Sequence, residues 1–279
     1  MISSIRLQNF RSYKDDSFEF EEGVNIVVGP NTSGKTNLLE AILVLSSGGS
    51  YRARDGELVR FGAPWARLDG SFDKNQRVVK IVNQNEKVQK THELDTKVYK
   101  RLNLERTVPV VVFEPNHLQL VSRGPDQRRE YFDDISARTA PGFKNLSASY
   151  RRALAQRNAL LKQNPARAQK QLFAWNVRLS QLGSQIVDHR LKLLEDINQT
   201  ISRVYSKIAG KKSPVRLDYE TPINTKNYSS RLLSKLEVGT ATDFARGFTA
   251  YGPHREDITI YLNDQVAAMS ASRGEIRSL

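Results

Sequence analysis

The stretch GPNTSGKT, Gly29 to Thr36, spaces its residue types for holding phosphate. It fits G-x-x-x-x-G-K-[ST] at every fixed position. Two glycines let the backbone curl so that successive N–H groups face an anion, and the following helix start adds partial positive charge. Gly29, Pro30, Asn31, Thr32, Ser33, Gly34, Lys35 and Thr36 are therefore the candidate nucleotide site, with Lys35 reaching the outer phosphates and the Thr36 hydroxyl placed for Mg²⁺. Context matters more than the pattern. Ahead of it, GVNIVVG is a short apolar run that predicts a fully buried strand. Behind it, Leu38, Leu39, Ile42 and Leu45 fall on one helical face, and Gly48-Gly49 ends the helix.

The elements that must position this loop are an α/β set interrupted by helices. SIRLQNF alternates as a strand, and between Trp65 and Phe113 the segments ARLDGSF, RVVKIV, KVQKTHEL and VPVVVF read as further strands, with a turn at Asn83-Gln84-Asn85. From about Asp126 to Gly210 the period is helical, with a break at Asn164-Pro165. Leu172, Trp175, Leu179, Leu182, Ile186, Leu193, Ile197, Ile201, Val204 and Ile208 follow steps of three and four, with polar His189 in the series. This predicts a packed helical hairpin, at 1.5 Å per residue no more than roughly 60 Å long. After GKKSP the strands return in VRLDYETP and DITIYLNDQVAA, with a turn at Asn263-Asp264. The division expected is 1–115 for a first ATPase lobe with the phosphate loop, 116–212 for a helical lobe or arm, and 213–279 for the return to the head.

Charge points to the partner class. Forty-three Lys and Arg against thirty Asp and Glu give a formal +13, which favours a polyanion. Ile135 to Val187 contains no Asp or Glu and nine basic residues: Arg138, Lys144, Arg151, Arg152, Arg157, Lys162, Arg167, Lys170 and Arg178. A solvated helix face ordinarily mixes signs through i,i+4 pairs, so a one-sign block reads as a DNA contact, or else as a solvated arm or a surface for an acidic protein. Arg151, Arg152, Arg157 and Lys162 are the candidate DNA-binding residues. The absence of cysteine excludes disulfides and thiolate metal sites and is compatible with a reducing cytoplasm. The apolar runs are too short to span a bilayer and no signal sequence precedes them, so the expected location is cytoplasmic, with no membrane partner. The four histidines show neither metal-ligand spacing nor a Ser/His/Asp arrangement.

IRLQNFRSY, NIVVGPNTSGKTNLLEAI, VVFEPNHLQLVSRGPDQRREYFD, YRRALAQRNALL, YGPHRED and SASRGEIRSL occur in the order found in the RecF family, bacterial recombination mediator ATPases related to SMC and Rad50 heads. The chain resembles that family over essentially its whole length. The resemblance implies a P-loop ABC-type ATPase head with a mixed β-sheet lobe and an inserted helical lobe or short coiled-coil arm. It also implies ATP and Mg²⁺ as cofactors, single-stranded or duplex DNA as partner, an ATP-dependent homodimer, and RecR/RecO-type mediator proteins. Asn116, where the family has an acidic residue, and Arg123, in place of one glycine of a pair, depart from the pattern. By the resemblance, SRGE is the ABC signature, with Ser272 and Gly274 contacting the γ-phosphate of a nucleotide held by a second subunit; serine and glycine also simply cap helices. Arg11 matches an arginine that related heads place near the phosphates, and equally reads as a surface loop arginine. His254 in YGPHRED has no chemical role in this reading and is expected to make structural hydrogen bonds.

Two features set the catalytic expectation. In the family, a helix after the signature leads to a buried strand ending in Asp-Asp or Asp-Glu, which positions Mg²⁺ and the attacking water. No such strand lies within the 279 residues, so the resemblance implies an incomplete chain with impaired hydrolysis, weak ATP binding and exposed apolar surface. The alternatives are a complete P-loop NTPase or kinase using Glu114, which Pro115 follows and no Asp precedes, and a non-catalytic, nucleotide-dependent DNA-binding scaffold. A long SMC coiled coil is disfavoured, because only 236 positions separate Thr36 from Ser272.

Overall fold

In the computed structural model the chain divides into two compact units, Met1–Phe113 and Glu114–Leu279. The structure describes all residues except 74, 85–86, 115–118 and 123, and the side chains of 84, 166 and 167 are also left out. Asn116, Arg123 and the last residue of the Asn83-Gln84-Asn85 turn therefore lie outside the described residues. Instead of a separate third part, residues 213–279 belong to the same unit as the helices.

The first unit is an antiparallel sheet with one helix against it. Strands β1 (Ile2–Phe10), β2 (Tyr13–Glu19), β3 (Trp65–Phe72), β4 (Asn75–Gln84), β5 (Lys87–Leu94) and β6 (Lys97–Tyr99) are ordered β2-β1-β3-β4-β5-β6. Alternation in β1 puts Ile5 and Leu7 into the core, where Leu68, Val79 and Ile81 meet them from β3 and β4. Helix α1 (Lys35–Ser47) covers this face with Leu38, Ala41, Val44 and Leu45 and stops at Gly48, whose φ of 85° closes the left-handed cap. One assignment of the helix face changes, since Leu39 is half exposed, and Glu40 beside it is fully buried.

Two expected strands are not strands in the structure. Residues 23–29 and 108–113 join no ladder. Val24 is 90% exposed, Ile26 81% and Val28 83%, so the first run faces solvent, while in the second Val111 (89%) and Phe113 (69%) are exposed and Val108 packs against the core. A run of β-branched residues reports what a segment would bury against a neighbour, and here no described strand pairs with either.

The second unit is helical with a small sheet. Its helices are α2 (Gln119–Ser122), α3 (Pro125–Thr139), α4 (Phe143–Leu161), α5 (Pro165–Asn198), α6 (Ile201–Ala209), α7 (Tyr228–Val238), α8 (Thr240–Arg246), α9 (Ala267–Ser270) and α10 (Arg273–Ser278). Strands β7 (Val215–Glu220), β8 (Asp257–Leu262) and β9 (Gln265–Val266) form the antiparallel sheet β7-β8-β9. Pro165 opens α5 after the break at Asn164, and α4 and α5 pack as a hairpin. Leu179, Leu182 and Ile186 are buried with Tyr150, Leu232 and Leu236. The stripe does not stay inward to its end, because Val204 and Ile208 on α6 are 48% and 63% exposed. Between β8 and β9, Asn263 and Asp264 hold φ of 50° and 60°, the paired left-handed geometry of a two-residue hairpin turn. Among the described residues no helix is long and apolar enough to cross a membrane.

The exposure of residues 24–28 has a direct test. The double substitution Ile26→Ser, Val28→Ser is expected to leave chemical-denaturation stability within about 0.5 kcal/mol and to lower binding of a hydrophobic dye. A loss above about 2 kcal/mol would show that the run is buried in a core.

Candidate functional site: the phosphate loop and two buried charge clusters

The loop itself is assembled by backbone. Gly34, with φ 95° and ψ 4°, precedes α1 with no side-chain cap, and no acidic residue occupies the first helical turn. The first N–H groups of α1 are thus left for an anion. A side chain at Gly34 is excluded twice, by its positive φ and because a Cβ would stand 2.8 Å from Ser12 Oγ and 3.0 Å from Tyr13 Oη. Tyr13 Oη also donates to the Gly34 carbonyl at 3.1 Å, fixing the loop to the start of β2. The Lys35 ammonium folds back on its own loop and donates to the carbonyls of Gly29 (2.7 Å) and Pro30 (2.6 Å). Pro30, Asn31, Thr32, Ser33 and Thr36 are wholly or partly exposed, and Thr32 is left-handed at φ 70°. These features fit a triphosphate: an uncapped helix start, a lysine in the loop and no competing carboxylate.

A buried carboxylate stands next to this loop. Glu40, on α1, accepts from Arg11 Nε (2.9 Å) and Nη2 (3.0 Å), from Arg52 Nη2 (3.0 Å) and from Ser50 Oγ (2.5 Å). Burial pushes its pKa up, but the hydrogen bonds from Arg11, Arg52 and Ser50 outweigh it and hold the carboxyl at about 2. Arg52 Nη2 also reaches Asn37 Oδ1 at 2.9 Å, and Asn37 Nδ2 donates to Ser12 Oγ at 2.9 Å, so a polar chain runs from Glu40 to the residues packed on Gly34. Arg11 is therefore neither a loose surface arginine nor bonded to the loop: two of its nitrogens are on Glu40 and a third is on the Glu57 carbonyl at 2.9 Å. Sequence reasoning missed Glu40. Its signal was there, a carboxylate on the buried face of an otherwise apolar helix.

The candidate DNA residues separate into two groups. Arg151, Arg152 and Lys162 are exposed along and just after α4, with Arg152 Nη2 donating to Ser149 Oγ at 3.2 Å. Arg157 is removed from that surface: it is 0% exposed and its guanidinium is fully engaged inside the unit. Nε donates to Asn176 Oδ1, and Nη1 donates to Asp243 Oδ2 and Thr249 Oγ1, each at 2.7 Å. Its position follows from helical spacing, since Tyr150, Ala153, Arg157 and Leu160 share the inward face of α4. Breaking such a buried pair from one side costs about 3–5 kcal/mol.

The remaining sequence motifs converge on a second cluster. From the segment around Gly124-Pro125, Arg128 pairs with Asp257 through Nε (2.9 Å) and Nη2 (2.7 Å), and Arg129 donates to the Glu256 carbonyl. Asp133 receives Arg190 through Nε (2.9 Å) and Nη2 (3.0 Å), while Arg190 Nη1 donates to the Pro253 carbonyl at 2.7 Å. The buried Glu256 accepts three hydroxyls, from Tyr219, from Thr221 (2.6 Å) and from Tyr228 (2.6 Å). Burial, then the neighbouring Glu256 charge, pushes the Tyr228 hydroxyl pKa well up, so it stays a donor. His254 accepts from Tyr150 Oη on Nδ1 (2.7 Å) and donates through Nε2 to the Thr249 carbonyl (3.1 Å), which fixes a neutral tautomer. Gly252 leaves room for this contact, because a Cβ there would lie 2.7 Å from Tyr150 Oη.

The other candidates lie apart from these clusters. Ser272 caps α10 in a capping box with Glu275, whose N–H reaches Ser272 Oγ at 3.3 Å while Oε2 receives the Ser272 N–H at 2.9 Å. Ser272 and Gly274 are both exposed. Glu114 opens the second unit outside any strand. Among the described residues no group of three His, Cys, Asp or Glu is arranged to hold a metal, so Thr36 remains the candidate protein contact for Mg²⁺.

Fold and loop together define a P-loop ATPase-type domain, and residues 4–237 match the family described as the AAA domain. The chain belongs to the RecF family of DNA replication and repair proteins. It is 33% identical to the RecF of Heliobacterium modesticaldum, over 100% of this chain and 77% of that protein, and 34% identical to the RecF of Tropheryma whipplei, over 99% and 75%. Among solved structures it is similar to the recombination mediator RecF of the RecFOR pathway with ATPrS, at a TM-score of 0.86, 26% identity and coverage of 100% of this chain and 78% of the other. The ATP form of that mediator matches with a TM-score of 0.84.

The His254 geometry predicts a pH effect. Burial, the main cause, pushes its pKa down to about 4, against 6.5 for a free histidine, so the unfolded chain takes the proton first. Stabilisation by neutral His254 is complete above about 6.5 and is lost as pH falls through that window towards 4, by roughly 1–3 kcal/mol. His92, likewise buried and pushed down to about 4, acts in the same direction. Denaturation of His254→Gln between pH 7 and 4 is expected to show a flatter slope than the parent, and an identical slope would remove His254 from the linkage.

Proposed function

We propose that this chain is an ATP-binding and DNA-binding head that acts as a recombination mediator in DNA replication and recombinational repair, promoting recombinase loading at gaps. The observation that carries the reading is the phosphate loop: Lys35 lies folded on the Gly29 and Pro30 carbonyls of a loop that leads into the uncapped N-terminus of α1, with no carboxylate in the first turn. ATP is the expected ligand, as in the solved relatives. Mg²⁺, bound together with the phosphates, supplies charge neutralisation. Lys35, released from the Gly29 and Pro30 carbonyls, and the loop amides would hold the phosphate oxygens, and the Thr36 hydroxyl would hold the metal. Ser272 and Gly274 are proposed to complete the site of a second copy, making an ATP-dependent homodimer. RecR- and RecO-type mediators are the proposed protein partners, and the cytoplasm the proposed location; both rest on the family resemblance.

The exposed basic residues of α4 support DNA as the polyanion. Arg151, Arg152 and Lys162 are available to phosphates, whereas Arg157 is spent on folding.

Lys35→Ala is expected to abolish the rise in melting temperature that Mg²⁺-ATP produces in the parent chain, without lowering the ligand-free value. An unchanged ATP-dependent shift would place the nucleotide elsewhere. For DNA, the double variant Arg151→Glu, Arg152→Glu should weaken binding and flatten the plot of log affinity against log salt by about 0.7–0.9 for each phosphate no longer neutralised. Retention of the parent slope would return α4 to the class of solvated faces.

A further inference from the structure

Asn37 stands in the first turn of α1, where the helix itself favours a carboxylate. Its side chain bridges two partners. Oδ1 accepts from Arg52 Nη2 at 2.9 Å, and Nδ2 donates to Ser12 Oγ at 2.9 Å. A guanidinium can only donate, so Arg52 fixes which end of the amide is the oxygen and leaves the NH₂ for Ser12. An aspartate would keep the first bond and lose the second; an alanine would lose both.

The two ends of this bridge differ in kind. At one end Arg52 is held by Glu40, whose carboxylate has no solvent exposure and also takes Arg11. At the other, Ser12 and Tyr13 lie where the chain turns from β1 into β2, and they hold Gly34 from two directions. Ser12 Oγ lies 2.8 Å from where a Gly34 Cβ would stand, and Tyr13 Oη donates to the Gly34 carbonyl at 3.1 Å. That carbonyl also accepts the Leu38 N–H at 3.0 Å, closing the first turn of α1. Gly34 precedes Lys35, and its φ of 95° sets the angle at which the loop enters the helix.

We infer that Asn37 is a positioning residue of the phosphate loop: through Ser12 it holds Gly34, and with it Lys35 and the loop amides, in the arrangement that receives a polyphosphate. This role rests on the reading of Gly29–Thr36 as a triphosphate site, and Asn37 lies just outside that motif. Alanine or aspartate at the same place would give a more stable helix start. The amide serves the loop and not the helix.

Titration calorimetry of the 279-residue chain with Mg²⁺ and either ATP or tripolyphosphate, run beside ligand-free melting, tests it. Tripolyphosphate has neither base nor sugar and reports on the loop alone. Asn37→Ala is expected to weaken both ligands by the same factor, about fivefold, the contribution of one hydrogen bond. Its ligand-free melting temperature should not fall, because alanine is the stronger helix former. Ser12→Ala should also weaken both ligands equally, and the double variant no further than either single one, since all three cut the same bridge. Unchanged tripolyphosphate affinity in Asn37→Ala would overturn the inference. A lower melting temperature would then make Asn37 a packing residue, and a loss confined to ATP would make its amide a direct contact of the nucleoside. Additive effects of the two substitutions would overturn it as well, since Asn37 and Ser12 would then act separately. If neither ligand bound the parent, the phosphate-loop reading itself would fail, and the role given to Asn37 with it.

Discussion

The geometry of the first unit turns on one buried negative charge. Glu40 lies on the helix that starts at the phosphate loop, has no solvent exposure, and is neutralised by two arginines that come from different segments, one in the β1–β2 turn and one after α1. A carboxylate in that position costs several kcal/mol of desolvation unless it is paired, so the helix can pack on the sheet only when Arg11 and Arg52 arrive. Both then stay in place, and Arg52 extends the restraint through Asn37 to Ser12 at the glycine before Lys35. The loop is flexible in type, being rich in glycine and small polar residues. Its downstream anchor is rigid.

The second unit solves the same problem with more partners. Arg157 with Asp243, Arg190 with Asp133, and Arg128 with Asp257 each join segments far apart in the chain, and Glu256 collects hydroxyls from three residues between Tyr219 and Tyr228. The GPDQRREYFD and YGPHRED segments are thereby joined physically: they are two sides of one buried network. Net positive charge on the outside of α4 and paired positive charge on its inside coexist within a few turns of the same helix.

What can be read from the residues alone divides along the range of the interactions. Local rules locate the phosphate loop, the Gly48 stop, the Pro165 start and the Asn263-Asp264 turn, since each depends on a backbone preference of one or two residues. Arg157 escapes them because its partner Asp243 is 86 positions away, and a basic residue among basic neighbours looks solvated until that partner is known. Its spacing from Tyr150 and Leu160 already favours the interior. Residues 24–28 and 108–113 read as strands from apolarity, which signals what a segment can bury and not whether a neighbour is there. The Glu256 triad of hydroxyls carries no motif and only the packed structure reveals it, whereas Glu40 shows in the sequence as a carboxylate on the inward face of an apolar helix.

The posture of Lys35 has a further consequence. Its ammonium is already satisfied by two carbonyls of the loop it serves, so an incoming anion must replace two short hydrogen bonds before it gains anything. Only a ligand presenting several adjacent oxygens can engage the lysine and the helix amides together. The loop's own backbone is thus the reference against which any ligand at Lys35 is measured.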